Sequence, residues 1–262
     1  MRCTSSTVAA VADLFCRSNS LTLCCAEPST RSPLGDRAAF ARGAFRTQIL
    51  DAQPTRHDSR RPDRRGAGDA LVLYFGAAKN PAHLRDALDY LSSPSYWQHI
   101  NIEEESYVPL TLFRYGRDDA AYQVLIDISG PQKACREYPE VSYSVIEALV
   151  SGVMGLEPAH EGEAFDVLTL SRLPSNHDRA TLSTLSIRKN HLDITHTGRS
   201  WTRMKNVSGP AVRWRAAFSG KASRLYLDGT AVAVKQSTLA GGAVISWADV
   251  TVPSGAVRVV SR

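Results

Sequence analysis

Hydrophobic residues recur at helical spacing in the middle third of the chain. Apolar positions there repeat every three to four residues, which is the period of an amphipathic helix. Turn-forming residues, Ser92-Ser93-Pro94, Gly116 and Gly130-Pro131, stand where three of these segments end. The pattern predicts four helices, at 81–91, 102–115, 118–128 and 141–154. Short loops between them favour antiparallel helical neighbours.

After Pro158 the pattern changes to short apolar runs separated by turn residues. Asp228-Gly229 between two such runs is a strong β-hairpin signal, because both residue types accept the left-handed backbone of a type I′ turn. The runs predict nine strands, at 169–173, 182–187, 191–197, 201–207, 212–218, 224–227, 231–234, 243–252 and 256–260. Short strands at regular spacing favour an antiparallel β-sandwich. The sequence therefore predicts an α+β multidomain fold, with helices at 70–158 and a β-sandwich domain at 159–262.

Residues 1–69 differ from both parts in composition. They show weak periodicity and carry eleven Arg, no Lys and seven acidic residues. This composition predicts a disordered or non-native N-terminal segment. The rest of the chain carries 20 basic and 19 acidic residues, so most of the net charge of +5 belongs to the N-terminal segment. The nearly neutral remainder argues against nucleic acid as a partner.

Membrane, cofactor and metal signals are absent from the sequence. The chain contains no run of 18 apolar residues, which predicts no membrane partner. An early apolar stretch at 7–15 is interrupted by Asp13, which slightly favours a cytoplasmic location over secretion. If the chain were secreted, Asn206-Val207-Ser208 would be a glycosylation acceptor. Four of the five cysteines lie in the first 25 residues at spacings that match no zinc pattern, so no metal and no cofactor is predicted.

The densest group of candidate functional residues opens the last predicted helix. It is the segment Arg136-Glu137-Tyr138-Pro139-Glu140. Carboxylates supply acid–base catalysis and aromatic rings can stack on sugar rings, so the segment indicates a carbohydrate site. Glu137 is our first candidate for a catalytic base, and Glu140 is the second. The alternative is a structural helix start, in which Glu140 only interacts with the positive end of the helix.

A second acidic group, Glu103-Glu104-Glu105, opens the helix predicted at 102–115. Glu104 is the third catalytic candidate, although three acids also fit a solvated first turn favoured by the helix dipole. Acids buried close together would raise the pKa of at least one of them. The predicted substrate-binding residues are Trp97, Tyr107, Arg136 and Tyr138. Aromatic residues at helical spacing also fit a packed core.

Several segments resemble the closing helices of six-hairpin (α/α)6-barrel glycoside hydrolases, the group with mannosylglycerate hydrolase-like and glucosidase-like barrels. These segments are 93–97, 102–109, 113–116 with 119–122, 136–143 and 150–155. The segments 209–218 and 225–229 resemble the small β domain that follows such barrels. The resemblance covers about residues 70–262. It implies a carbohydrate substrate, acid–base hydrolysis without a cofactor, and a base near the end of the barrel.

The predicted helices supply only part of such a barrel. An (α/α)6 barrel has twelve helices and the sequence predicts four, so the partial toroid would lack the part that commonly carries the general acid. We therefore predict a glycoside hydrolase-like protein of carbohydrate metabolism, a fragment with reduced or no activity. The alternative is a non-catalytic carbohydrate- or protein-binding module. Apolar helix faces left uncovered would also associate with another chain.

Overall fold

A computed structural model describes residues 67–78, 81–133, 138–159, 166–239 and 242–262. Helices occupy the first part of these ranges and strands the second, which confirms the predicted α+β class. The helices are α1 (Ala67–Tyr74), α2 (Pro81–Leu91), α3 (Pro94–Trp97), α4 (Ile102–Arg114), α5 (Asp118–Ile128) and α6 (Pro139–Glu147), followed by a π-helix (Ala148–Val153). None of the described helices is long and apolar enough to span a membrane. All five cysteines and residues 1–66 lie outside the described ranges.

The central helix of the helical half is α4. Apolar side chains on several sides of it, including Val108, Leu110, Leu112 and Phe113, are buried. A helix buried in this way must be covered by neighbours, and α1, α5 and α6 all pack against α4. Its first turn is capped by Asn101, whose side chain accepts a hydrogen bond from the Glu104 backbone N–H.

Two short helices were not predicted from the sequence. Helix α1 lies where the apolar periodicity is weak, and α3 follows directly on the residues that end α2. The serine and proline that end one helix also start the next. Ser93 accepts a hydrogen bond from the Ser95 backbone N–H, and Pro94 occupies the first helical position.

The helix predicted at 141–154 is interrupted by a change of helical type. An α-helix runs to Glu147, and a π-helix continues it from Ala148 to Val153. Close packing on α4 accompanies this change, because a Cβ atom added to Gly152 would overlap the Phe113 ring. Gly155, with a left-handed backbone (φ 52°), then ends the helical half.

Eleven strands form two sheets in the described part of the chain. The strands are β1 (Glu157–Ala159), β2 (Asp166–Leu170), β3 (Arg179–Ile187), β4 (Asn190–Thr197), β5 (Trp201–Ser208), β6 (Val212–Ser219), β7 (Leu225–Leu227), β8 (Thr230–Val232), β9 (Lys235–Thr238), β10 (Val244–Val252) and β11 (Val257–Ser261). The first sheet has the order β1-β2-β6-β10-β9, and the second has the order β3-β4-β5-β11-β7-β8.

The prediction of a wholly antiparallel sandwich of nine strands is wrong in two respects. Strand β2 begins three residues earlier than predicted and pairs in parallel with β6, whereas the other described pairs are antiparallel. Strands β1 and β9 were missed. The four residues of β9 are polar and exposed, so they lack the alternation that marks a half-buried strand.

The two sheets contribute their inner faces to one core. Trp214 and Phe218 come from the first sheet, and Ile194 and Met204 come from the second. Buried residues of the helical half belong to the same cluster, so the helices and the sandwich pack together. The indole N–H of Trp214 donates a hydrogen bond to Thr169 Oγ1 at 2.8 Å, which satisfies a buried donor at the centre of the first sheet.

A set of polar contacts, here called the seam, joins the helical half to the sandwich. His196 on β4 is buried, with its Nε2 atom 3.0 Å from the Met154 carbonyl oxygen. The Arg172 guanidinium donates to the Ser151 carbonyl oxygen at 2.9 Å, and Arg199 pairs with Asp118 at 3.3 Å. These side chains satisfy buried polar groups where the two halves meet.

The glycosylation signal at Asn206 is inaccessible in the folded chain. Asn206 is fully buried, and its amide donates hydrogen bonds to the carbonyl oxygens of Pro210 and Val252. A sugar can be attached only to an exposed amide, so the folded chain does not present this acceptor.

Candidate functional site

The described part of the predicted catalytic turn lies at the start of α6. Tyr138 precedes the helix and is 38% exposed, and Glu140 is exposed in its first turn. Arg136 and Glu137 fall outside the described residues. The turn therefore presents one aromatic ring and one carboxylate to solvent.

The other predicted site residues occupy different environments. Glu104 is half-buried in the first turn of α4. Trp97 is only 6% exposed and belongs to the core, so a stacking role would require its ring to be uncovered. Tyr107 is half-buried, and its ring packs edge-on against Tyr74 with 5.1 Å between the ring centres. Of these three residues, Glu104 and Tyr107 keep part of their side chains exposed.

The acid that the structure singles out is Glu105, the neighbour of the predicted Glu104. Glu105 is 1% exposed, and its Oε2 atom accepts from the Lys133 ammonium group at 2.7 Å. The same ammonium group lies 2.8 Å from Asp127 Oδ2. One lysine, in the turn that follows α5, therefore bridges a buried and a half-buried carboxylate.

Burial is the main influence on the ionisation of the Glu105 carboxyl group. Loss of solvation raises the pKa of Glu105 to about 7, while Lys133 acts in the opposite direction and Asp127 raises the pKa further. The pKa of Lys133 is raised, because its two carboxylate partners outweigh its own desolvation. The sequence carried a signal for this position: Glu105 shares the buried face of α4 with Val108, Pro109 and Leu112.

Replacing Lys133 with alanine should destabilise the chain in a pH-dependent way. At pH 8 the Glu105 carboxylate is mainly ionised, so removal of the ammonium group leaves a buried charge without its partner and should cost about 2 kcal/mol of unfolding free energy. At pH 5 Glu105 is protonated, and the cost should fall well below that value. Urea unfolding at the two pH values measures the difference.

A matched control for this variant is Lys189→Ala. Lys189 is exposed in the turn between β3 and β4, so its removal should change stability by less than about 0.5 kcal/mol at both pH values. Equal destabilisation by Lys133→Ala at pH 5 and pH 8 would show that the ionised Glu105 does not depend on this lysine.

The outward side of α6 carries exposed aromatic and apolar groups. Tyr143 is 66% exposed and Ile146 is 40% exposed, and Tyr138 stands at the start of the helix. With Glu140 and Glu147, these residues form what we call the α6 surface. Large apolar side chains exposed together are typical of binding surfaces.

Charged groups border the α6 surface where it meets α1. The Tyr74 hydroxyl donates a hydrogen bond to Glu147 Oε2 at 3.4 Å, and Arg114 lies 4.0 Å from Glu147 Oε1. The Arg114 guanidinium also lies 4.9 Å from the centre of the Tyr74 ring. Aromatic rings, a carboxylate and a guanidinium group can together recognise ring faces and hydroxyl groups. Within the described ranges, no group of three or more His, Cys, Asp or Glu residues could hold a metal ion.

Comparisons with known proteins give only distant similarity. No family model and no curated sequence matches the chain. Among solved structures, a human-microbiome protein classed as a kojibiose phosphorylase aligns with a TM-score of 0.37 and 8% identity, over 69% of this chain and 24% of that protein. A GH31 dextranase from Flavobacterium johnsoniae, in complex with isomaltotriose, aligns with a TM-score of 0.27 and 11% identity, over 42% of this chain and 19% of the dextranase. Both proteins are carbohydrate-active enzymes, and the chain spans less than a quarter of the length of each. Both TM-scores are below 0.5, so neither alignment defines a shared fold.

Proposed function

We propose that this chain is a glycoside hydrolase-like protein that binds carbohydrate at the α6 surface, and that its helices form part of an (α/α)6 toroid. The observation that carries the proposal is the grouping of exposed Tyr138 and Tyr143 with Glu140 and Glu147 on one helix. Tyrosine combines an apolar ring face with a polar hydroxyl group, and a carboxylate accepts hydrogen bonds from sugar hydroxyl groups.

The packing of α4 and α6 supports the toroid part of the proposal. Phe113 packs against Gly152 and Arg114 lies near Glu147, so the C-terminal parts of the two helical segments lie side by side. Lys133, in the turn after α5, joins Glu105 at the start of α4 to Asp127 near the end of α5, so α4 and α5 form an antiparallel pair. Repeated pairs of this kind would build a toroid.

The proposal also assigns a catalytic base. Glu137 is the base that activates water, because in the sequence it stands two residues before the first residue of α6. Inverting hydrolysis also requires an acid across the sugar, at about 6.5–9.5 Å from the base. A chain without that acid would bind sugar and turn it over slowly or not at all.

The function can be tested with a panel of aryl glycosides and disaccharides. We expect calorimetry to detect binding of at least one sugar, and Tyr143→Ala to weaken that binding about tenfold through loss of ring contact. If turnover is present, Glu137→Gln should reduce the rate more than about a hundredfold. The control is Ile126→Ala, which removes an exposed apolar side chain from α5 and should leave binding unchanged.

The same experiments separate the sugar-binding and protein-binding alternatives. Absence of binding to every sugar in the panel, together with concentration-dependent association by light scattering, would assign the α6 surface to protein contact. A near-normal rate in Glu137→Gln would remove Glu137 from the site. Exposure of Ile146 and Phe75 is the observation that favours the protein-binding alternative.

A further inference from the structure

The outer face of the second sheet combines aromatic and basic side chains. Trp201, Arg203 and Lys205 alternate along β5 with the buried residues Thr202 and Met204, so the three point away from the core. All three are half-buried. A tryptophan and two cations that follow one another on a partly exposed sheet face are a binding feature that the α6 surface does not include.

Strand register places a second aromatic residue in the same row as Trp201. Trp201 lies opposite Ser261 of β11, and Ser261 lies opposite Tyr226 of β7. Two strand spacings, about 10 Å, therefore separate the two aromatic positions, with a small serine between them. Tyr226 in turn lies opposite the exposed Ala231 of β8, so the next position in the row also has a small side chain. The row therefore places a small residue between two aromatic side chains.

The next two outward-facing residues of β5, Arg203 and Lys205, supply positive charge. Arg203 lies opposite Thr195 of β4 and Val259 of β11, which carry no charge. Lys205 lies opposite Asp193 and Val257, and Asp193 accepts a hydrogen bond from the Thr184 backbone N–H. Among the residues that the structure describes, neither Arg203 nor Lys205 forms an ion pair or a side-chain hydrogen bond.

Other charged groups around this face do not neutralise it. Arg179 and His191 lie on the same face in β3 and β4, and Asp178 precedes β3 at the edge of the sheet. Asp228, in the turn after β7, is engaged by Arg258 at 3.3 Å. The face therefore keeps two half-buried cations, Arg203 between a threonine and a valine and Lys205 between Asp193 and a valine. An arginine in such a place is suited to bind a carboxylate or sulfate group through paired N–H donors.

We propose that this face, formed by Trp201, Arg203, Lys205, Tyr226 and Ser261, binds an acidic oligosaccharide. The rings of Trp201 and Tyr226 contact sugar rings along their row, and Arg203 and Lys205 bind the carboxylate or sulfate groups. The inference rests on the proposed carbohydrate function, but it places a second sugar contact on the sandwich, distant in sequence from α6. A nucleic acid is less suited, because the chain outside the N-terminal segment has nearly balanced charge.

Calorimetric titration of the full chain with oligogalacturonides, which carry a carboxylate on each sugar, tests the inference. We expect binding that weakens as salt is raised to about 0.5 M, because charge contacts are screened. Trp201→Ala should weaken binding about tenfold, and the double variant Arg203→Ala with Lys205→Ala should weaken it more than about tenfold. Lys189→Ala removes a positive charge from the turn between β3 and β4 and should have no effect.

Three outcomes would overturn the inference. These are no binding of oligogalacturonides, equal weakening by Lys189→Ala, and unchanged binding after Trp201→Ala. Two further probes define the ligand class. Equally tight binding of neutral maltooligosaccharides would remove the acidic requirement, and tighter binding of oligo(dT) would assign the face to single-stranded nucleic acid.

Failure of this inference can be distinguished from failure of the proposed function. Suppose Tyr143→Ala weakens binding of a neutral sugar while Trp201→Ala leaves oligogalacturonide binding unchanged. The α6 surface is then retained and the sandwich face is rejected. The opposite pattern would retain the sandwich face and reject the α6 surface. Because the two sets of side chains lie on separate elements, each variant serves as the control for the other site.

Discussion

Replacing Gly155 with alanine should destabilise the chain by more than about 4 kcal/mol, or prevent folding altogether. Gly155 has a left-handed backbone (φ 52°), and a Cβ atom there would overlap the carbonyl oxygen of Leu170. The Gly155 carbonyl oxygen also accepts a hydrogen bond from the Leu170 backbone N–H at 3.2 Å. The overlap involves backbone atoms, so it can be relieved only by separating the end of the π-helix from β2.

A glycine with the same backbone angle provides the control. Gly198 also has φ 52°, but a Cβ atom added there would have no neighbour within 4 Å. Gly198→Ala should therefore lower the unfolding free energy only by the cost of holding alanine in the left-handed conformation, about 1–2 kcal/mol. Urea unfolding of the two variants separates the backbone conformation from the steric overlap. A cost for Gly155→Ala no larger than that for Gly198→Ala would show that β2 does not lie as close to Gly155 as described.

Acidification should weaken the seam through His196. We expect the histidine to lower the unfolding free energy by about 3 kcal/mol as the pH falls from 6.5 to 4. Met154 offers only a carbonyl oxygen, so His196 Nε2 carries the hydrogen and donates, and Nδ1 accepts from the Thr202 hydroxyl group at 2.8 Å. Burial lowers the pKa of His196 to about 4, whereas the hydrogen bond to Met154 acts in the opposite direction. The unfolded chain binds this proton at about pH 6.5, so stability is fully present above that pH and is lost towards pH 4.

Other groups titrate in the same range with the opposite sign. Burial raises the pKa of Asp118 to about 6 and that of Glu105 to about 7, so both acids favour the folded state as the pH falls. His196→Gln isolates the histidine, because glutamine can donate to Met154 and accept from Thr202 without titrating. We expect the loss of stability between pH 6.5 and pH 4 to be about 3 kcal/mol smaller in His196→Gln than in the unsubstituted chain.

The matched control is His191→Gln, at an exposed position on the same strand. It should leave the pH dependence of the unfolding free energy unchanged. An identical pH dependence in His196→Gln and the unsubstituted chain would mean that His196 is not held neutral in the seam. If the prediction holds, acid weakens the join between the helical half and the sandwich at a single buried side chain.

The start of α4 shows how far the sequence could identify a site. Three consecutive acids predicted a helix start, which is present, and the pKa of one acid was expected to rise only if acids were buried close together. One of them, Glu105, is buried, and burial raises its pKa. The sequence predicts Glu104 as the catalytic candidate, whereas the buried acid is Glu105. Which of the acids is buried depends on Lys133 and Asp127, which lie more than twenty residues further along the chain. Periodicity gave the buried side of α4, but the partner that holds the carboxylate there is a tertiary contact.

The sequence by itself determined the division into helices and strands, the positions of most turns and the strand at 201–207. These features follow from the helix and strand repeats and from the backbone preferences of glycine and proline, which are local. Only the tertiary structure decided that β2 runs parallel to β6, that Asn206 is buried and that Trp201, Ser261 and Tyr226 share one row. Each of these depends on which distant strands become neighbours. Burial of the shared core selects that arrangement, because local patterns show which face of a strand is apolar but not which strand lies beside it.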